Sequence, residues 1–162
     1  MKSIKALPKI IPRAEAAAIR EAHAGQTLVF TNGCFDLLHV GHVRYLQAAR
    51  ERGDVLIVGL NGDDSVRQLK GPKRPLNPEA ARAEVLTALS AVDHVVIFDE
   101  PRVSALLAEV RPDVYVKGGD YTLETLNREE VAVVERLGAR VALIPMVPGF
   151  STTGILQKLG VE

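Results

Sequence analysis

The stretch "TLVFTNGCFDLLHVGH", residues 27–42, settles the fold. It opens on an apolar β-branched run, breaks at the turn-forming pair Asn32-Gly33, and leads into a helical pattern that starts near Val40. Strand, tight turn, helix is the first half of a βαβ unit, and the chain then repeats it. The runs "DVLIVGL" (54–60), "HVVIF" (94–98), "DVYVK" (113–117) and "RVALIP" (140–145) are nearly continuous in Val, Ile and Leu. Such runs suit parallel strands covered on both faces. Between them the patterning predicts helices over 40–52, 78–91, 103–110 and 123–137. Asn77 reads as an N-cap with Pro78 at the first helical position and Glu79 in the first turn. Gly53 and Gly138 follow two of these helices in C-cap positions.

Strands alternating with helices make an α/β fold, a Rossmann-like doubly wound parallel sheet of about five strands in a single domain. Ligands of such sheets gather at the strands' C-terminal ends. The segments there are "TNGCFD", "NGDDS", "KGGDY" and "PGFSTT", and they hold most of the polar residues of interest. Residues 1–26, with "RAEAAAIREAH", read as a helical extension packed outside a domain spanning 27–162. Its apolar side is one candidate interface between copies.

Composition narrows the function. The chain has 162 residues, 47% of them hydrophobic, with 20 Lys and Arg balancing 20 Asp and Glu. Zero net charge and 4% aromatic content give no platform for nucleic acid. Any anion must be held by locally placed cations. The single cysteine, Cys34, leaves no intrachain disulfide and fits a reducing cytoplasm. No apolar run approaches the ~20 residues that span a bilayer, and Pro8, Pro12, Arg13 and Glu15 spoil a secretory signal. The expectation is a cytoplasmic protein without membrane or nucleic-acid partners.

His39 and His42 stand at i and i+3 where a helix begins, which puts their Cβ atoms ~5–6 Å apart on one face. Backbone amides and the helix dipole favour an anion at that point. Gly41 between them leaves no side chain in the way of a ligand. Zinc held by Cys34, His39 and His42 lacks a common ligand spacing, and Cys34 as a nucleophile is less natural than Cys34 as a small packed residue. Two neutral donors gripping phosphate oxygens remain. The segment "LKGPKRP" brings Lys70, Lys73 and Arg74 on a Gly/Pro-rich loop, with Lys70 the first candidate for a triphosphate and Lys73 the second. Ser151, Thr152 and Thr153 open the last helix, and three hydroxyls exceed what one cap needs. Lys117, Gly118 and Asp120 read as ligand contacts or a plain turn. Asn61 and Asp63 suit polyhydroxyl recognition or ordinary capping. Asp36 is either a substrate contact or the partner of a loop amide, and Arg82 either reaches phosphate or pairs at the surface. No phosphate-cradling G-x-x-x-x-G-K-[ST] or G-x-G-x-x-G loop exists in the chain.

"FDLLHVGH" resembles the H-x-G-H signature of the nucleotidyltransferase superfamily, and "STTGI" (151–155) resembles its second signature. The likeness runs from Thr27 to the C-terminus and is nearest to the adenylyltransferases of ADP-heptose synthesis. It implies attack of a heptose 1-phosphate oxygen on the α-phosphate of ATP, with Mg²⁺ on the phosphates, pyrophosphate leaving and no covalent intermediate. By the same resemblance His39, His42, Lys70 and Lys73 serve the reaction. The nucleotide meets Thr31, Asn32, Gly33, Phe35, Gly41, Lys117, Gly118, Asp120, Ser151, Thr152 and Thr153. Asp36, Asn61, Asp63 and Arg82 face the sugar phosphate, and the protein is a homodimer. Glycerol-phosphate cytidylyltransferases carry an arginine just ahead of the second signature, and "VPGFSTT" has none. The alternatives are a cytidylyltransferase for a small phosphorylated alcohol, of the glycerol 3-phosphate or phosphoethanolamine type, and a non-catalytic nucleotide-binding domain.

Overall fold

Leu28 and Phe30 face one side of the first strand and Val29 the other, all fully buried, so this strand needs cover on both faces. The next strand repeats the arrangement with Val55 and Ile57 against Leu56 and Val58. The computed structural model describes residues 8–119 and 121–160. Its strands are β1 (Leu28–Gly33), β2 (Val55–Asn61), β3 (His94–Phe98), β4 (Val114–Gly118) and β5 (Arg140–Ile144). Its helices are α1 (Ala18–Ala22), α2 (Val40–Arg50), α3 (Asp63–Lys70), α4 (Glu79–Thr87), α5 (Ser104–Val110), α6 (Arg128–Arg136) and α7 (Thr152–Lys158). The five strands run in the order β3-β2-β1-β4-β5 and every neighbouring pair is parallel. The chain works outward from β1 to β3, then crosses back to place β4 on the other side of β1. That reversal is the switch point at which such sheets open a crevice.

Two apolar layers sandwich the sheet. Leu106 and Leu107 of α5 and Val133 and Val134 of α6 join Ile11, Ala16 and Ile19 in one layer. Leu46 and Ala49 of α2 and Ala83 and Leu86 of α4 build the other.

Several elements differ from the sequence expectation for local reasons. Asn32 and Gly33 are not a turn after β1; they continue the ladder opposite Gly59 and Leu60, because the parallel neighbour supplies partners that far. Helix α3 was expected as turn and loop, and Lys70 is its last residue rather than a loop residue. Pro78, not Asn77, is the N-cap of α4, and the Asn77 amide instead donates to the Asp36 carbonyl. The helix expected over 123–137 begins only at Arg128, where Asn127 caps it by accepting from the amides of Glu129 and Glu130. At Gly138 the backbone is left-handed (φ +67), as a helix end requires, whereas Gly53 is absent from the left-handed residues. β5 is an edge strand and stays half-exposed instead of buried on both faces.

The N-terminal extension is no single helix. A 3₁₀ turn at Arg13–Glu15 precedes the short α1. Ile11 donates its amide to Val95 and Val95 donates to Lys9, so this segment borders β3 at the sheet edge. Of its apolar residues Ile11, Ala16 and Ile19 lie inside the core, while Ile10 stays exposed. Positions 1–7 lie outside the described residues. His94 anchors the junction: Nδ1 donates to the Pro8 carbonyl (2.9 Å), which leaves Nε2 to accept from His23 Nε2 (2.8 Å).

Candidate active site

β1 and β4 pair only at Val29–Val114 and Phe30–Tyr115. Beyond that point their C-terminal ends frame a cavity of about 430 Å³. Asn32 and Gly33 of β1, Lys117 and Gly118 of β4, and Asn61 of β2 line it, with Cys34, Phe35 and Asp36 from the loop after β1. His42 comes from α2, Leu69 and Lys70 from α3, Arg74 and Tyr121 from loops, and Thr152 and Thr153 from α7.

His39 is the extended N-cap of α2 and His42 stands one turn in. Their rings stack at 3.9 Å between centroids, and His42 meets Phe35 edge-on at 5.4 Å. Only His42 is among the cavity-lining residues; His39 lies against it and towards Phe150. Burial lowers both histidines, and burial together with His39 takes His42 down to about 4. Both rings are therefore neutral near pH 7. Each Nδ1 is buried without a hydrogen-bond partner among the described residues. A bare lone pair is tolerated there better than an N–H, which assigns the proton to Nε2 and makes each ring a donor. Gly41 has another reason than ligand access: a Cβ there would sit 2.9 Å from the His39 ring. Gly118 likewise makes room for the Tyr45 ring, 2.6 Å from where its Cβ would be.

The remaining expected residues divide. Lys70 and Lys117 reach the cavity; Lys73 is exposed and not on its lining. Thr152 and Thr153 line it, while the Ser151 hydroxyl caps α7 by accepting from the Gly154 amide. Asn32 Oδ1 lies 2.8 Å from the Tyr115 hydroxyl, whose single proton it shares with Glu130 Oε2 at 2.9 Å, and Asn61 Nδ2 donates to Ser65. Thr31 is fully buried and its hydroxyl pairs with Tyr45, so it faces the core and not the nucleotide side. Asp36 lines the cavity, but its carboxylate already accepts from Arg74 Nε (2.8 Å) and from the amides of Leu76 and Asn77. Burial opposes that charge; the amides of Asn77 and Leu76 and the Arg74 guanidinium outweigh it and hold Asp36 below the usual carboxylate range. Asp36 is thus the amide-binding partner, not a free substrate contact. Asp63 is paired with Arg82 (2.7 Å) and lies off the cavity lining. Arg82 is neither a surface pair nor a phosphate reader. At 2% exposure it donates to Asp63 and to the carbonyls of Cys34, Asn61 and Asn77. Asp120 lies outside the described residues.

Cys34, read as packing, is half-buried and lines the cavity, with burial pushing its thiol up so that it stays protonated. Arg74, Tyr121 and Leu69 complete the lining without having been singled out for it. The sequence signal for Arg74 was present in the basic stretch, but nothing local tells that Lys70 and Arg74 turn inward and Lys73 does not.

The depressed histidines carry a stability prediction. His39, His42 and His94 all titrate below their unfolded value of 6.5 in the folded chain, through burial. As pH falls through 6.5 the unfolded chain takes up protons first, so stability present above that pH is lost on the way down. Thermal melts should give a lower Tm at pH 5 than at pH 7.5. His94→Gln should flatten part of that slope; a Tm independent of pH over this window would contradict the burial argument.

Without a glycine-rich phosphate loop, this chain is left with a histidine-bearing helix start, inward cations and the hydroxyls of α7 around one crevice. That is the construction of a nucleotidyltransferase of the H-x-G-H type. The chain belongs to the cytidylyltransferase-like family, whose model matches residues 30–158. Over 139 residues, 86% of its length, it is 56% identical to the bifunctional protein HldE of Syntrophotalea carbinolica. It is 58% identical to the HldE of Geotalea uraniireducens, again over 139 residues and 86% of its length. The match covers 28% of each relative, so the chain spans less than a third of the curated relatives it matches. Among solved structures it is similar to the lipopolysaccharide core biosynthesis protein from Thermoplasma volcanium. That likeness has a TM-score of 0.62 at 29% identity and covers 76% of this chain and 98% of the other. Pantoate-beta-alanine ligase from Francisella tularensis shares the fold at 15% identity and a TM-score of 0.57, over 92% of this chain and 76% of that one. Among the described residues no helix is long and apolar enough to cross a membrane.

Proposed function

We propose that this chain transfers AMP from ATP to a heptose 1-phosphate, releasing pyrophosphate, as a cytoplasmic homodimer that supplies a lipopolysaccharide precursor. The observation that carries the transfer chemistry is the neutral His42 on the cavity wall at the start of α2, in the same cavity as Lys70, Thr152 and Thr153. The heptose and the dimer rest on the resemblance of the H-x-G-H and "STTGI" segments to the adenylyltransferases of ADP-heptose synthesis, the compartment on the single cysteine, and the lipopolysaccharide role on the Thermoplasma volcanium relative.

An oxygen of the acceptor phosphate attacks the α-phosphorus, and the bond to the bridging oxygen of the leaving pyrophosphate breaks. Charge grows on the α-phosphate oxygens and the leaving group, and donors already aimed there lower the barrier. His42 Nε2–H donates to the α-phosphate, with His39 stacked behind it. Lys70 and the hydroxyls of Thr152 and Thr153 hold the β- and γ-phosphates. Mg²⁺ enters with ATP as part of the substrate. Among the described residues no group of three or more His, Cys, Asp or Glu could hold an ion, and Asp36 is saturated by its own partners. An ion that rides on a triphosphate keeps most of its waters and asks for few protein ligands.

Pyrophosphate release with paired nucleotides and acceptors tests the proposal. ATP with heptose 1-phosphate is expected to turn over. Turnover only with CTP and glycerol 3-phosphate or phosphoethanolamine would move the chain to the cytidylyltransferase reading. No turnover with any pair, despite ATP binding, would leave a binding domain. The two lysines separate on placement: Lys70→Ala should raise the KM for ATP about tenfold or more, as loss of a charge-assisted hydrogen bond does. Lys73→Ala should stay near wild type. Equal effects would mean that Lys73 also turns onto the triphosphate when ATP binds.

A further inference from the structure

Lys117 ends β4 with its amine enclosed, only 12% of the side chain being exposed. A buried amine without help gives up its proton. Burial does push the Lys117 ammonium down, and the group opposing that push is Glu130. Glu130 lies in the first turn of α6, 7% exposed, with Oε2 3.6 Å from Lys117 Nζ. Its place is fixed twice: Asn127 caps its backbone amide, and the Tyr115 hydroxyl donates to Oε2 at 2.9 Å.

Among the described residues Glu130 is the acid paired with the amine, and the groups nearest to it otherwise carry no charge. Asn32 Oδ1 is at 3.5 Å, and the rings of Tyr115 and Tyr121 lie at 5.4 and 5.1 Å. Burial and the Glu130 charge push the Tyr115 phenol up, so it stays protonated. The cavity lining adds the cations Lys70 and Arg74, Asp36 bonded to Arg74, neutral His42 and protonated Cys34. Glu130 does not line the cavity, and Lys117 stands between its carboxylate and the cavity wall. A buried carboxylate beneath an anion site would repel the ligand unless a cation stood between them.

We propose that Glu130 is a positioning residue that holds the Lys117 ammonium charged and fixed on the cavity wall, where it meets the anionic substrate. The ligand half of this rests on the nucleotidyl-transfer reading; the lysine–glutamate half does not.

Glu130→Gln keeps the shape and an acceptor for Tyr115 but removes the charge. Labelling of Lys117 by acetic anhydride, followed by peptide mass mapping, should run roughly tenfold faster in the variant near pH 8, because more of the amine is neutral. Calorimetric binding of ATP alone should match wild type at pH 6.5 and be weaker by about tenfold at pH 9. Adding Lys117→Arg, whose guanidinium stays protonated, should restore a pH-independent affinity. Glu130→Asp, with its charge drawn back, should fall between wild type and Glu130→Gln, and serves alone if the glutamine variant does not fold. Unchanged labelling would overturn the role of Glu130, whatever reaction the protein catalyses. Faster labelling with ATP binding that does not follow pH would overturn the assignment of that charge to the substrate. Failure of AMP transfer in the wild-type chain would leave the labelling result standing.

Discussion

His42→Ala is expected to cut turnover by roughly 10²–10³, the usual cost of removing one donor aimed at developing charge, while the protein stays folded. The ring lines the cavity and is neutral at the working pH, so what it loses is a donor and not a countercharge. Its Nδ1 is buried without a hydrogen-bond partner among the described residues, which makes the histidine a cost to the folded state rather than a support. The Tm of the alanine variant should therefore hold. His39→Ala should be milder, since His39 is not on the cavity lining and its main contact is the stack on His42. His42→Gln discriminates donor from base: an amide still donates and should recover part of the rate, whereas a base would be lost outright. Pyrophosphate release and thermal melts on the same preparations decide it, and an unchanged turnover in His42→Ala would remove the residue from the reaction.

The parts of this molecule that were legible in the sequence are those with a local signature. Buried parallel strands leave continuous apolar runs, and β1 to β4 have them. The histidines were legible because i, i+3 spacing at a helix start fixes their relation without reference to the rest of the chain. Helix α3 was not, since it buries only Ser65 and Val66 and its two leading aspartates look like turn residues. Side-chain direction was the other blind spot. Arg74 finds Asp36 across 38 positions and Arg82 finds the Cys34 carbonyl across 48, and no window of sequence contains both partners. Thr31, Asp36, Asp63 and Arg82 all looked available for ligand because their partners lie far along the chain or on another element. Glu130 was missed for the opposite reason: an acidic residue in a helix's first turn reads as a dipole complement facing water. The better signal was Tyr115 and Lys117 on a central strand, where polar side chains need buried partners.

Arg82 carries the largest stability effect. Its guanidinium donates to the Cys34 carbonyl after β1, to the Asn61 carbonyl and Asp63 carboxylate around the end of β2, and to the Asn77 carbonyl ahead of α4. Those are three segments that frame the cavity, and one buried side chain ties them together. Arg82→Met would leave a carboxylate and three carbonyls short of a donor. Asp63 is 26% exposed and can recover water, but the buried acceptors recover it poorly. Removing one partner of a buried charged group costs about 3–5 kcal/mol, which in a chain of this size lowers Tm by roughly 10 °C or more. Arg82→Lys should lose most of the same stability, because one ammonium cannot span four acceptors fixed by a planar fork. That result separates the internal tie from a phosphate contact. A ligand-reading arginine replaced by lysine would keep its Tm and raise KM alone, and that outcome would return Arg82 to the substrate. Asp63→Asn should cost less than Arg82→Met. In the double variant the two losses should fall short of their sum, since the second change removes a partner already gone.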